Sequence, residues 1–424
     1  MPASLLFHLA PPDLQEERCI NARHRQAGCT LCVEHCPTAA ISLLPGPRPL
    51  PVLDADACVG CGICIPVCPT DAFTQGMQPE TRLVNLRTEL PGDEAVLLVC
   101  PQHPAPARSS APARVAIRHQ RCLAAFSPEQ LLELSHHGSR QVWLADETCA
   151  RCPLAPSQAR LNHLAQAVNT LLAGFGIGPA IHLVSHHASP AHELQVLDAA
   201  APEVTRRGFF RSLGGLARQR VDEAVAHRPK PLFAPGAPVD ARLPYQQPHS
   251  LQRLNQHLDH LARQKAPASD FQLATDHLPW AQVNLDAGKC SGCQLCARFC
   301  PTGALSWRQG EQEGRQLFNL DFHPALCLDC NICVAVCPHD ALDLTQQLPL
   351  SDLLARQPAL LLADYLEPCQ RCGALTRNIS PSEPTLCYAC QPPTLYRQRT
   401  QRAHMATLAR QLARQHEQAP SDTT

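Results

Sequence analysis

The sequence has 424 residues, of which 41 are proline and 24 cysteine, and its 36 basic and 37 acidic side chains give a formal net charge of -1. This near neutrality argues against nucleic acid or an anionic membrane surface as the main partner. The sequence shows neither a secretory leader nor an apolar run that could span a bilayer, so we expect a cytoplasmic protein. Because a reducing compartment disfavours disulfides, the cysteines are expected to bind metal.

Residues 1–85 form the first cysteine-rich segment. Its second half has the spacing C-x2-C-x2-C-x3-C followed by proline, and its first half repeats the end of that pattern after a longer insertion, INARHRQAG. Cys19 is set apart by this insertion, and if it is not a ligand, the site formed by the first half would lack one cysteine. The expected ligands of this segment are Cys19, Cys29, Cys32, Cys36, Cys58, Cys61, Cys64 and Cys68.

Residues 93–190 alternate between short apolar runs and helical patterns, which predicts a small parallel α/β domain. Strands are predicted in AVLLVC, ARVAIRH, QVWLAD and AIHLVS, and helices in SPEQLLELSHHG and over 157–174. Cysteines follow these strands, where ligands collect in such sheets, so they are a possible additional metal site, with structural thiols as the alternative. The cysteines are Cys100, Cys122, Cys149 and Cys152. Four nearby histidines are expected to lie on the surface: His103, His119, His136 and His137.

Residues 205–270 are predicted to be a linker followed by a helix. The linker holds the double-arginine segment TRRGFFRSLGG at 205–215 and a proline-rich stretch. The helix aligns four leucines on one face, which favours packing against the cysteine-rich segment that follows. These leucines are Leu251, Leu254, Leu258 and Leu261.

Residues 280–346 contain two further copies of the C-x2-C-x2-C-x3-C-P pattern. A zinc site is the alternative for paired cysteines, but this is not a zinc-ribbon spacing. The expected ligands are Cys290, Cys293, Cys296, Cys300, Cys327, Cys330, Cys333 and Cys337.

Residues 365–392 have a different spacing, C-x2-C-x14-C-x2-C, which is typical of a zinc ribbon. A single-iron, rubredoxin-like site would use the same ligands. These are Cys369, Cys372, Cys387 and Cys390, and a basic tail over 393–424 follows them.

The four motifs with proline after the last cysteine resemble those of bacterial ferredoxins that hold two [4Fe–4S] clusters. The resemblance implies that three cysteines of each motif bind one cluster and that the fourth binds the cluster of the partner motif. The implied sets are Cys19, Cys29, Cys32 with Cys68; Cys58, Cys61, Cys64 with Cys36; Cys290, Cys293, Cys296 with Cys337; and Cys327, Cys330, Cys333 with Cys300. The expected fold is therefore two α+β ferredoxin-like dicluster modules, a small α/β domain and a C-terminal zinc ribbon.

Two other segments resemble known families. LVCPQH, HQRCLAAFSPEQLLEL and LADETCARCP resemble the iron–sulfur delta subunit of methyl-viologen-reducing hydrogenases, which implies a fifth iron–sulfur cluster. The double arginine, the step Pro279–Trp280 and the last two ferredoxin motifs resemble the accessory ferredoxin of periplasmic nitrate reductase. That likeness implies a role in the maturation of a molybdoenzyme.

No phosphate loop, Ser-His-Asp arrangement or paired-carboxylate motif is visible, so we expect no catalytic site in the chain itself. The sequence favours an electron-transfer protein with four [4Fe–4S] clusters that serves a larger redox enzyme. The first alternative is an accessory or maturation protein for a molybdoenzyme such as formate dehydrogenase or nitrate reductase. The second is an enzyme that performs thiol or hydride chemistry at the α/β cysteines.

Overall fold

The computed structural model describes residues 7, 10–24, 27–46, 48–75, 94–103, 108–186, 191–198, 245–355 and 357–391. The double-arginine segment, most of the linker and the basic tail lie outside these residues. No helix in the described ranges is both long and apolar enough to cross a membrane.

The first module, residues 10–75, consists of two small antiparallel sheets joined by cysteine-bearing loops. Ile41–Leu43 and Pro51–Leu53 form a hairpin, whereas Asp13–Leu14 and Phe73–Thr74 pair the two ends of the module. The apolar segment AAISLL after Cys36 predicts a strand, and Ile41–Leu43 confirms it. Its helical segments are Glu16–Arg18 (3-10), Ile20–Arg23, Leu31–Glu34 and Cys64–Val67.

The second module, residues 281–345, repeats this arrangement. Gln282–Leu285 pairs with Leu342–Thr345 at the ends of the module, and Leu305–Gln312 forms a longer hairpin with Arg315–Phe322. The segment DALDL after Cys337 predicts a strand, and Leu342–Thr345 confirms it. In each module one strand pair is therefore a local hairpin and the other joins distant ends. The helical segments are Leu295–Phe299, Pro324–Leu326 (3-10) and Ile332–Ala335.

The sheet domain, residues 94–198, contains a parallel sheet of five strands. The four predicted strands are present, and a fifth, Gln195–Asp198, adds to one edge. Two short strands outside this sheet pair with each other, Arg108–Ser109 with His192–Glu193. In spatial order the strands of the sheet are Gln195–Asp198, Val115–Arg118, Val96–Val99, Val142–Leu144 and Ile181–Leu183.

Helices cover this sheet through their apolar faces. The predicted helices are Pro128–Leu134 and Ser157–Gly174, and three 3-10 turns accompany them. The first helix begins where the Ser127 backbone N–H donates to Oε1 of Gln130 at 2.9 Å, which satisfies one of the donors left over at a helix start. The 3-10 turns are Leu123–Ala125, Cys149–Arg151 and Val184–His186.

The bridging helix, His249–Gln264, packs against more of the chain than the sequence predicts. Its four leucines are buried, and each contributes about 2 kcal/mol of burial energy. They belong to the core of the sheet domain together with Leu131. That core also includes Trp280, just before the second module, and Leu328 within it. The predicted packing against the second module is therefore present through Leu328, and the helix also packs against the sheet domain, because it lies between the two.

The second module continues into a four-stranded antiparallel sheet that carries the last cysteines. Ala359–Pro368 pairs with the hairpin strand Arg315–Phe322 and with Leu375–Thr376. We call residues 369–390 the knuckle. The remaining elements are Gln272–Ala274, which pairs with Gln347–Pro349, and the helix Leu350–Leu354.

Candidate metal centres

The cysteine loops of three motifs share an unusual backbone. The residue two places after the first cysteine and the residue directly after the second both have φ between 48° and 80°. Such left-handed residues turn successive N–H groups towards one point, where they favour anionic sulfur. In the first motif, Gly28 before Cys29 has the positive φ instead, at 62°. The residues in the three regular motifs are Gly60, Gly62, Gly292, Gln294, Asp329 and Asn331.

The fold brings the cysteines together in the crossed sets implied by the ferredoxin resemblance. Three sets each line a small cavity of about 20 Å³. In each set, three cysteines come from one motif and the fourth from its partner. These sets are Cys19, Cys29, Cys32 and Cys68; Cys290, Cys293, Cys296 and Cys337; and Cys300, Cys327, Cys330 and Cys333.

The fourth set is apparent from the electrostatics of its sulfurs. Burial raises the pKa of the Cys61 thiol to about 11, and the nearby sulfurs of Cys36 and Cys58 add to that rise. Burial also raises the pKa of the Cys64 thiol, and the nearby sulfurs of Cys61, Cys58 and Cys36 add to that rise. All sixteen ferredoxin cysteines are therefore assigned to four local groups, and Cys19 lies with Cys29, Cys32 and Cys68 as the sequence predicts.

The turn after each fourth cysteine provides polar contacts to its sulfur. The backbone N–H of Ala72 donates to Cys68 Sγ at 3.3 Å, and that of Ala341 donates to Cys337 Sγ at 3.3 Å. A threonine hydroxyl lies 3.6–3.8 Å from Sγ of Cys36, Cys68 and Cys300. Such hydrogen bonds to thiolate sulfur stabilise negative charge and raise the potential of a cluster.

The surroundings of these sulfurs fit a cationic cluster core better than bare thiols. Burial raises the pKa of Cys29 and Cys32 to about 12, and that of Cys293 and Cys327 to about 11. Four ionised sulfurs in such places require compensation by a metal, since thiolate is the ligating form. The walls are apolar, as with Phe318 beside Cys290, and limit the access of water.

The four cysteines of the sheet domain also meet, but in a different kind of site. They line one cavity of about 430 Å³, together with polar residues such as Arg151 and Gln158. Each follows a strand of the parallel sheet, so the carboxyl edge brings them together. Burial raises the pKa of Cys100, Cys122 and Cys149. The cysteines are Cys100, Cys122, Cys149 and Cys152.

This cavity adjoins the first module. Cys61 is among the sulfurs that raise the pKa of Cys122, and both belong to one apolar cluster with Ile63 and Ala125. Gly62 has φ +80°, and a Cβ there would lie 2.7 Å from the Arg121 side chain. Glycine therefore permits the close approach of the ligand loop to the sheet domain.

The knuckle has the geometry of a single-ion site. Among the residues that the structure describes, Cys369, Cys372, Cys387 and Cys390 are the only group of three or more His, Cys, Asp or Glu whose ligand atoms all lie within 4.8 Å of one another. Tetrahedral zinc with Zn–S bonds of about 2.3 Å places its sulfurs about 3.8 Å apart, and Cys372 Sγ lies 3.6 Å from Cys387 Sγ. The Cys387 N–H donates to Cys369 Sγ at 3.3 Å and lowers the pKa of Cys369 to about 6.

The histidines near the sheet-domain cysteines do not line the cavity, and one of them is not a surface residue. His119 is fully buried, stacks on Phe126 and contacts the Arg121 backbone, so burial lowers its pKa to about 3. The surface expectation is therefore wrong for His119, because its ring fills core volume. His103 lies 3.8 Å from Glu147. Sequence reasoning also missed the buried Arg23, which lies in the irregular insertion and carries no motif signal.

The comparison with known families agrees with this geometry. The model of the 4Fe-4S dicluster domain matches residues 25–72 and residues 289–341. A search of curated proteins returned no match to the chain. Both matched ranges lie where the cysteines of a module form crossed sets. The chain therefore contains two 4Fe-4S dicluster domains of the ferredoxin type.

Proposed function

We propose that this protein is a one-electron carrier with four [4Fe–4S] clusters, bound by the four crossed cysteine sets, and that it serves a larger redox enzyme in the cytoplasm. The observation that carries the proposal is the crossing itself, in which three cysteines of each motif meet the fourth cysteine of its partner motif, three times around a shared cavity and once as neighbouring sulfurs. Two-cluster ferredoxins use this ligand pattern.

When bound, such a cluster accepts or donates one electron at a time. The chain's own residues tune that property. The cysteines supply thiolate ligands, the left-handed loop residues direct N–H groups at the sulfurs, and apolar side chains such as Phe318 and Leu320 exclude water. No proton-transfer group is required.

We also propose a fifth iron–sulfur centre at Cys100, Cys122, Cys149 and Cys152. The shared cavity, the raised thiol pKa values and the contact with Cys61 support a centre that exchanges electrons with the first module. The cavity exceeds what the ferredoxin sets enclose, which gives an external partner or small molecule access to this end of the protein.

At the knuckle we propose structural zinc. Its four sulfurs lie at single-ion spacing, and four thiolates with a closed tetrahedral shell are typical of structural sites. The ion would join two turns that have little core of their own.

The maturation function depends partly on residues 205–215, which lie outside the described ranges. Its other element, Trp280, is fully buried in the core with Leu254 and Leu328, so it acts in packing rather than as a docking residue. Electron transfer is therefore the function that the described residues favour.

The test is anaerobic metal and sulfide analysis of the reconstituted full-length protein, with EPR of the dithionite-reduced form. About sixteen irons are expected from four clusters, and more if the sheet domain holds a fifth, with about one zinc from the knuckle. Cys149→Ser should remove only the iron above sixteen. Zinc in place of iron at the crossed sets would refute the electron-transfer function.

A further inference from the structure

The two modules meet through a junction beside their cysteines. Ile20 of the first module packs against Ile332 and Val336 of the second, and Cys29 and Cys330 border the same cluster of side chains. The ring of His24 meets that of Phe299 edge-on, with centroids 4.7 Å apart. The insertion between Cys19 and Cys29 therefore supplies the first module's face of the junction.

A buried cation lies in this junction. Arg23 is 5% exposed, and its Nη2 donates to the carbonyl oxygen of Cys300 at 3.4 Å. Burial lowers the pKa of Arg23, whereas the neighbouring Cys300 and Cys330 sulfurs oppose that shift. The guanidinium remains charged at neutral pH.

We propose that Arg23 is a positioning and charge-balancing residue that couples the two modules, by holding the set of Cys19, Cys29, Cys32 and Cys68 against that of Cys300, Cys327, Cys330 and Cys333. This inference rests on the proposed function.

A buried positive charge at the junction favours reduction of the cluster beside it. Reduction adds one negative charge to a thiolate-ligated cluster, and a fixed positive charge nearby in a medium of low dielectric constant stabilises that form. Arg23 belongs to the first module, yet it donates to the Cys300 carbonyl oxygen and lies near the Cys330 sulfur of the second. It therefore raises the potential on the far side of the junction and favours passage of one electron towards the second module, which oxidises one cluster and reduces the other with no bond or proton change.

The cysteine sets form a continuous series, in which a sulfur of one set lies near a sulfur of the next. Cys122 of the sheet domain neighbours Cys61, Cys64 neighbours Cys32, and Cys333 neighbours Cys296. The junction at Arg23 connects the two halves of this series. At the far end of the series, Arg377 donates to the carbonyl oxygen of Cys290 and so links that loop to the strands that carry the knuckle.

The test is an EPR-monitored redox titration of the full-length, reconstituted protein with dithionite as reductant. The variants are Arg23→Met, Arg23→Lys and the control Arg48→Met, which removes an exposed charge from the same module. Arg23→Met should make reduction of one cluster at least tenfold less favourable, a downward shift of about 59 mV, with unchanged iron content. Arg23→Lys should restore most of the potential.

Equal potentials in Arg23→Met and Arg48→Met, at full iron content, would overturn the coupling role while leaving the four-cluster function intact. Loss of a cluster in both Arg23 variants would also overturn it, because it would show a purely structural role. A wild-type protein without about sixteen irons would instead refute the proposed function on which this inference rests.

Discussion

The two modules have the same strand pairings and crossed cysteines, but each is extended at a different place. In the first module the added residues lie between Cys19 and Cys29 and form the junction helix Ile20–Arg23. In the second, the hairpin Leu305–Gln312 with Arg315–Phe322 is longer and continues into the strands of the knuckle. The two modules therefore share their ligand loops, and the extensions around these loops form the interfaces.

The largest expected effect tests whether the irregular first motif binds like the regular ones. Cys19→Ser should remove one cluster, or leave a three-iron one, because Cys19 lies in the cavity with Cys29 and Cys68. The matched change Cys290→Ser in the second module should have the same effect. Iron analysis and EPR should show a loss of up to about four irons in each variant. Full iron in Cys19→Ser alone would mean that the modules differ in ligand number.

The next effect concerns the extension that is present only in the second module. Arg377 donates to the carbonyl oxygens of Ala287 and Cys290 at 2.7 and 2.5 Å, and to Asp364 at 2.7 Å. Arg377→Met should lower the free energy of unfolding by about 2–3 kcal/mol, since these are charged hydrogen bonds. Thermal unfolding and the rate of zinc release to a chelator would measure this. The exposed Arg371 is the control, and an equal change in Arg371→Met would contradict the role of Arg377.

The parts of this arrangement that the sequence predicts are the ones with a local signal. Cysteine spacing indicates the crossed sets, and apolar periodicity predicts the helix Ser157–Gly174 and four strands of the sheet. The sequence does not predict the strand Gln195–Asp198, because its two apolar residues are adjacent and show no alternation. The junction at Arg23 could not be predicted, since spacing within a motif says nothing about which module faces which.

A smaller effect compares one turn in the two modules. Each fourth cysteine is followed three residues later by a left-handed residue, and this is Ala39 (φ 53°) in the first module but Gly303 (φ 79°) at the equivalent place in the second. Ala39→Gly should stabilise the protein by about 1 kcal/mol through relief of that strain. Gly303→Ala should destabilise it by about 1–2 kcal/mol or more, because the new Cβ would lie 2.9 Å from Tyr245. Thermal midpoints that move in the same direction would contradict this account.

The smallest expected effect concerns the last turn of each module, because the two turns have different surroundings. It is a change in the free energy of unfolding of about 1 kcal/mol per pH unit at most. Asp71 of the first module accepts hydrogen bonds from the N–H and hydroxyl of Ser250 at 3.1 and 2.7 Å, whereas its counterpart Asp340 is exposed. Near this contact Glu129 is buried, and its pKa is raised to about 7, mainly by burial, with Asp71 adding to the rise and Ser127 and Arg253 opposing it.

A carboxyl group with a raised folded-state pKa binds its proton more tightly in the folded protein than in the unfolded chain. Its effect on stability is therefore most favourable below the ordinary pKa of 4.5 and is lost as the pH rises through about 7. The midpoint of thermal unfolding should fall over this range in the wild type, and the fall should be smaller in Glu129→Gln. The exposed Glu193→Gln should keep the wild-type slope. If Glu129→Gln keeps it too, the Glu129 carboxyl is not the group that titrates where the sheet domain meets the turn at Asp71.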